Sequence, residues 1–382
     1  MHLALTVVAA VCALLALAGA AYFGLCIWAA RRFLAKNKTS GGFAPPVSLL
    51  KSLKGLDPHM YEAFRSHCLQ DYGEFELLFG VSDPNDPALE LVARLQREFP
   101  QRAVRVVACP TSLGLNGKVS TLAQMLPQAR YEHILINDSD IVASPDYLRR
   151  VMSEFAGEDV GMVTTLYRGL AGKTLPSKIE ALGLSTDFMG GVLVAREMEG
   201  GVRFALGATI ATTKSVLREI GGLEALVDHL GDDYELGART AAAGYKVELA
   251  DAVVETALPD YTWGEFWAHQ MRWARNVKDR RRTQYFGLVV TFSLAWGILA
   301  VLAAPGAWWT WAALTIVAFF RISAAVAVGR GVLDDPSVLR DLWLLPLRDF
   351  AALAVWLASF VGNEIEWRGL KFRVRDGKLE QV

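Results

Sequence analysis

Cysteine is scarce in this chain, and its few examples fall in no pattern. Cys12, Cys26, Cys68 and Cys109 form no CxxC pair and have no neighbouring histidine pair. Their spacing therefore suggests neither a zinc site nor a disulfide framework. They read as ordinary buried or membrane thiols, and the middle of the chain is expected to face a reducing compartment. A charge of either sign in excess is also missing. Lysine and arginine number 39 against 40 aspartates and glutamates, a formal net charge of -1, so overall charge gives no reason to expect nucleic acid as a partner. Internal repeats and low-complexity linkers are absent too.

The most informative absence is local. Leu3 to Ala30 contains no charged residue, a run long enough to cross the hydrocarbon core as a helix. It is too long for a signal peptide's apolar region and lacks a basic start. Arg31, Arg32, Lys36 and Lys38 follow at once, and by the positive-inside rule they hold the next segment in the cytoplasm. Residues 1–32 are thus expected to be a transmembrane anchor in an integral membrane protein.

From Phe43 to about Leu258 the pattern is that of a soluble α/β domain (43–258). Val47–Leu50, Phe75–Val81, Ala103–Val107 and His133–Ile136 are short apolar runs of strand character, and Asp86–Phe99 has helical spacing. Strands alternating with helices imply parallel strands and βαβ crossovers, with ligands beyond the strands' carboxyl ends. The chain then returns to the membrane over 285–363. Tyr285–Ala304 and Trp308–Val328 are spanning candidates joined at Pro305-Gly306, with Trp308, Trp309 and Trp311 suited to an interfacial belt. Leu342–Val361 is a third hydrophobic stretch interrupted by Pro346, Arg348 and Asp349, and it reads as a span, a re-entrant segment or an interfacial helix. A basic tail, 364–382, prefers the cytoplasm.

Four places could carry chemistry. Asp83 follows an apolar strand, where a ligand would bind; taken alone, a cap of the next helix or the start of a turn before Pro84 explains it better. His133-Ile-Leu-Ile-Asn-Asp138-Ser139-Asp140 is a strand ending in Asp-x-Asp. Its carboxylates can meet one hard divalent cation, Mg²⁺ or Mn²⁺, that bridges to a diphosphate, although Asp-Ser-Asp also suits a turn. Asp232-Asp233 opens a helical pattern, either as a dipole-favoured first turn or with Asp233 as a general base. Finally, His269-Gln270-Met271-Arg272-Trp273 lies in an aromatic segment, 259–284, that reads as an amphipathic interface helix whose Arg280-Arg281-Arg282 run would meet lipid headgroups. From such a helix Arg272 could donate a bidentate fork to a diphosphate.

Taken together and in this order, Asp83, Asp138-Ser139-Asp140, Asp232-Asp233 and the RW helix resemble the signature of GT-A glycosyltransferases acting at membranes. The chain is most similar to the ceramide glucosyltransferase family and its bacterial hopanoid-associated relatives. Pro45-Pro46-Val47-Ser48-Leu49-Leu50-Lys51, Val81-Ser82-Asp83-Pro84, Asn116-Gly117-Lys118-Val119, Pro346-Leu347-Arg348-Asp349 and Glu366-Trp367-Arg368-Gly369 carry the resemblance. It implies a GT-A nucleotide-diphospho-sugar transferase domain inserted between an N-terminal transmembrane helix and C-terminal interfacial and transmembrane helices. It further implies a UDP-sugar donor, a membrane-lipid acceptor of ceramide or hopanoid type, a divalent cation and a bacterial inner-membrane location.

The implied roles are uridine contact for Asp83, donor positioning for Asp138, metal coordination for Asp140 and a place near the donor for Lys118. Asp233 would be the base, and Arg272 and Trp273 would close over diphosphate and acceptor. The signature has Gln or Arg three residues before Arg272, where this chain has His269, with Gln270 one place late. Asp232, His269, Gln270 and Arg275 stand beside the set without an assigned role. The competing readings are a processive polysaccharide synthase, which usually has more spans, and a non-catalytic membrane scaffold.

Overall fold

The computed structural model describes residues 2–35, 42–367 and 370–381. Lys36 and Lys38, and Arg368-Gly369 of the C-terminal motif, lie outside the described residues. An eight-stranded mixed sheet forms the centre of the domain, from β1 (Val47–Leu53), β2 (Phe75–Val81), β3 (Ala103–Ala108), β4 (His133–Ile136), β5 (Ile141–Val142), β6 (Val160–Leu170), β7 (Ile210–Thr213) and β8 (Lys246–Ala257), in the order β3-β2-β1-β4-β7-β6-β8-β5. β3, β2, β1 and β4 run parallel, and β7 is antiparallel to both its neighbours. β2 is buried along its whole length, as an apolar run covered on both faces requires. The expected strands fall within β1 to β4, and the expected helix spans Ala88–Glu98, starting after Pro87, where the fixed φ of proline favours entry.

The N-terminal helix His2–Ala35 packs on the helices Ser293–Ala303 and Trp308–Ala325. Its buried face runs Ala9, Cys12, Ala13, Ala16, Gly19, Ala20, small residues at helical spacing that let backbones approach without a hydrophobic drive. At Gly19 a β-carbon would lie 2.5 Å from Cβ of Ser293, so the contact admits no side chain.

Tyr285–Ala304 is not one straight span. Arg282–Thr291 and Ser293–Ala303 meet at a 54° bend. The cause lies elsewhere in the chain: Oδ2 of Asp349 accepts from the amide of Leu294 at 3.1 Å, capping the second helix where the first has broken. Asp349 also receives Nε of Arg321 at 3.2 Å, and Arg321, fully buried, further pairs with Asp187. Arg348 joins through Asp187 at 3.1 Å. Charges in an apolar bundle persist when paired in this way. The second span, expected over Trp308–Val328, is α-helical over Trp308–Ala325 and continues as a π-helix to Val332.

The third hydrophobic stretch has side-chain ties at both of its ends. Ser337–Ser359 is long and apolar enough to cross a membrane. Yet just before it Nη1 of Arg168, in β6, donates to the carbonyl of Leu333 at 2.9 Å, and Ser185 donates to Asp335 at 2.8 Å. Just after it Nη2 of Arg275 donates to the carbonyl of Val361 at 2.8 Å. The start is therefore tied to the α/β domain and the end to the helix Trp263–Arg280. The tail is folded: β9 (Glu364–Trp367), β10 (Leu370–Arg375) and β11 (Lys378–Gln381) form an antiparallel sheet. It docks on the domain through Leu379 N to Asp228 O at 2.7 Å and Leu230 N to Gly377 O at 3.1 Å.

Candidate active site

A cavity of about 480 Å³ opens at the sheet edge, where Lys118, Asp138, Asp232, Asp233, His269, Arg272 and Trp273 come together. Asp138 arrives at the carboxyl end of β4. Lys118 sits in the first turn of the helix Gly117–Met125, whose start is fixed by Asn116: its Oδ1 accepts from the amides of Lys118 at 3.1 Å and Val119 at 3.2 Å. The Asn116 side chain also donates to the carbonyl of His229 at 2.7 Å, joining this turn to the loop before Asp232. Asp232 and Asp233 open the helix Asp232–Ala242, where the helix dipole favours negative charge.

Lys118 unites the acids. Its Nζ lies 2.6 Å from Oδ1 of Asp138 and 3.7 Å from Oδ2 of Asp232. Burial opposes its charge, but Asp138, Asp232 and Asp233 together raise the ammonium's pKa above the ordinary lysine value. Asp233 accepts from the amides of Gly207 at 3.0 Å and Tyr234 at 2.7 Å. Burial and the neighbouring Asp232 charge push its carboxyl up to about 6, with Lys118 pulling the other way. Carboxylate oxygens of Asp233 and Asp138 lie 3.3 and 3.4 Å from the point a β-carbon on Gly207 would occupy. Glycine there leaves the acids a shared approach.

Arg272, Trp273 and His269 project from one face of the helix Trp263–Arg280. Trp273 packs edge-on to Phe188, with ring centroids 5.5 Å apart, and His269 stacks on Tyr261 at 5.6 Å. Nδ1 of His269 lies 2.8 Å from Oε1 of buried Glu180, an ion pair when the imidazole is protonated. Gln270 does not line the cavity. Nor does Arg275, whose guanidinium instead bonds the carbonyls of Val361 and Glu364. Two of the three arginines of the basic run have protein partners, and Arg282 is exposed. Arg280 binds Glu235, Asn276 and the carbonyl of Gly377, and Arg281 binds the hydroxyl of Tyr234 at 3.0 Å and Glu199 at 3.3 Å. Arg280 and Arg281 take protein acceptors because the helix's C-terminal end docks on the domain. Both arginines line the cavity.

Asp140 and Asp83 lie outside this cavity's lining. Asp140 accepts from the hydroxyl of Thr256, and burial together with the Asp138 charge pushes its carboxyl up to about 6. Asp83 is exposed and accepts from the amide of Asn85 at 2.8 Å, forming the turn expected of it. Ser82, its neighbour, lines a second cavity of about 280 Å³ beyond the ends of β1, β2 and β3. Lys51 is the residue that sequence reading passed over. Fully buried in β1, it donates to the carbonyl of Asp138 at 2.9 Å, and burial lowers its ammonium to about 7 against the pull of Asp140 and Asp138. A lysine inside an otherwise apolar strand was the available signal.

A family model described as Glycosyl transferase family 21 matches residues 11–380. The chain belongs to that family. Ceramide glucosyltransferase 1 of Caenorhabditis elegans is 24% identical to this family 21 glycosyltransferase over 348 residues, which cover 87% of this chain and 72% of the worm protein. A poly-β-1,6-N-acetyl-D-glucosamine synthase of Staphylococcus epidermidis is 20% identical over 258 residues, covering 67% of this chain and 60% of that one. Among solved structures, a mannosyltransferase from Pyrobaculum calidifontis in complex with GDP-mannose and Mn²⁺ superposes with a TM-score of 0.54 at 20% identity, over 92% of this chain and 98% of that chain. That likeness extends to the fold: a GT-A domain on a mixed α/β sheet, here combined with helices long and apolar enough to cross a membrane.

Proposed function

We propose that this family 21 enzyme transfers a hexose, glucose in the first instance and N-acetylglucosamine as the alternative, from a UDP-sugar to the hydroxyl of a membrane lipid of ceramide or hopanoid type. The observation that carries the reading is the single cavity joining Lys118, Asp138, Asp233, Arg272 and Trp273 beside helices suited to a bilayer. An acceptor with long acyl chains leaves the bilayer only at great cost, so a catalytic cleft at the membrane surface suits it. The kinship with ceramide glucosyltransferases supports the lipid acceptor.

In this reading Asp233 takes the proton of the lipid hydroxyl as its oxygen attacks the anomeric carbon from the face opposite the leaving UDP. One bond forms as the other breaks, and the configuration inverts. With a pKa of about 6, Asp233 is ionised at neutral pH yet more basic than an ordinary aspartate, as general-base catalysis favours. Arg272 receives charge as it gathers on the diphosphate, with the guanidinium fork matched to phosphate oxygens. Lys118 keeps Asp138 and Asp232 in place, and Trp273 offers a ring face to the sugar or acceptor. Asp83 meets the uridine side.

A divalent cation fits the acids at the end of β4. Asp138 and Asp140 are coupled through their charges, and two carboxylates leave most of a hard cation's oxygen positions to the donor's phosphates. Asp140, with Asp138 beside it, would hold the ion, which when bound neutralises charge developing on the diphosphate. The Mn²⁺ in the Pyrobaculum mannosyltransferase is in keeping with this. The catalytic domain lies on the cytoplasmic face, of a bacterial inner membrane, in agreement with Arg31 and Arg32 at the end of the first helix.

The test incubates membranes containing the protein with labelled UDP-glucose and UDP-N-acetylglucosamine, then separates lipid from polymer. Labelled lipid is the expected product. Labelled polymer would replace this reading with processive synthesis, and no product from either donor would remove it. Asp233→Asn is expected to bind UDP-sugar and lose transfer; an active variant would refute the base assignment.

A further inference from the structure

The two cavities at the sheet edge adjoin, and two side chains belong to the walls of both: Lys118 and Trp367. The smaller cavity is floored by the ends of the first three strands and of the segment that follows them, at Ser52, Ser82 and Cys109, and its far wall is Trp367, Leu370 and Phe372. That wall belongs to the C-terminal sheet, not to the GT-A domain. Trp367 is half-buried and packs on Phe372 with centroids 6.5 Å apart. The sheet is held firmly where it matters for chemistry. Gly377 receives Nη2 of Arg280 at 3.0 Å and the amide of Leu230 at 3.1 Å, and its own amide donates to Asp279 at 2.5 Å. Leu230 stands two residues before Asp232.

We propose that the C-terminal sheet completes the donor site, with Trp367 as a nucleotide-binding residue. The inference rests on the nucleotide-sugar reading above. A nucleoside diphosphate sugar has three parts in a row, and the site offers three places in the same order. The smaller cavity, with the side chains of Ser52, Ser82 and Thr111 on one side and Trp367, Leu370 and Phe372 on the other, takes the base and ribose. The neck between Lys118 and Trp367 takes the diphosphate, with the ammonium on one side. The larger cavity takes the sugar, beside Asp138 and Asp233. An indole at the neck shields the lysine–phosphate contact from water, where it gains strength, and offers a face on which a base or ribose can rest.

The experiment is calorimetric titration of UDP into full-length protein in detergent, with donor and acceptor KM measured on the same samples. Trp367→Ala is expected to weaken UDP binding and raise donor KM by about tenfold, the size of a lost aromatic contact, while acceptor KM stays the same. Trp367→Phe is expected to keep most of the affinity. Leu370→Glu changes a side chain that is 53% exposed, so the fold tolerates it; the added negative charge is expected to weaken UDP binding too. Equal UDP affinity in wild type, Trp367→Ala and Leu370→Glu would overturn the proposal and leave the donor assignment standing. If Trp367→Ala fails to fold, Leu370→Glu decides alone. A wild-type protein that transfers sugar to lipid from a donor other than a nucleotide, and ignores UDP, would bring down both readings.

Discussion

Lys118 and Asp138 form an ion pair of 2.6 Å although they belong to different βα units. The lysine joins the DxD strand end to the Asp232-Asp233 helix start, since it also approaches Asp232. Three acids in so small a space repel one another, and the ammonium is what makes their proximity tolerable. Lys118→Met is therefore expected to lower transfer by about 10–100-fold, the equivalent of a lost charge-assisted hydrogen bond of about 1.5–3 kcal/mol. Lys118→Arg is expected to recover part of the rate. Initial rates at saturating lipid check both.

The same cluster sets a pH dependence. Asp233 acts as a base only when ionised, and its carboxyl is pushed up to about 6 by burial and by Asp232. Transfer is thus expected to be level above that value and to fall about tenfold per pH unit below it. For an ordinary aspartate the fall would begin near pH 4. The profile of kcat/KM for the acceptor at saturating donor is the measurement, and a flat profile between pH 7 and pH 5 would contradict the assignment.

His269 holds the place of the signature's Gln or Arg, and its contact with Glu180 at 2.8 Å gives the substitution a purpose. Glu180 is buried, so a partner is costly to remove. His269→Gln, whose amide N–H can donate to the carboxylate, is expected to retain most activity and stability. His269→Leu is expected to cost about 1–3 kcal/mol, the penalty for a stranded buried polar group. Thermal unfolding and donor KM, measured together, separate loss of fold from loss of site.

Within the helical bundle, Arg321 neutralises Asp349 and Asp187 at once. Arg321→Met is expected to destabilise the protein by about 3–5 kcal/mol, because it leaves the buried Asp349 carboxylate without its cation, while Asp187 keeps Arg348. Asp349→Asn is expected to cost less: an amide oxygen can still accept from Leu294. Size-exclusion profiles after graded heating in detergent would rank the two.

The parts of the fold that sequence made legible are those specified locally. β2 and β4 stand where apolar runs end at turn residues, and Asp232-Asp233 open a helix as paired acids do. What escaped reading depends on distant partners. The break at Phe292 is capped by Asp349, more than fifty residues on, so Tyr285–Ala304 looks like one uninterrupted span in isolation. Arg280 and Arg281 look like a headgroup patch until Glu235, Tyr234 and Gly377 are seen to hold them. Lys51 is marked by its strand, but its proximity to Asp138 comes from the pairing of β1 with β4. Trp367 gives no local sign at all of reaching the cavities, because only the docking of β9 to β11 brings it there.

The helix Ser337–Ser359, tied at its start to β6 and at its end to the helix Trp263–Arg280, bears on where the product of the proposed reaction would accumulate. On the proposed reading, a lipid drawn into the cleft from the adjoining monolayer would keep its new head group in that monolayer, facing the compartment that supplies the nucleotide. Any such product found on the opposite surface of the bilayer would have needed a separate translocator to carry it across.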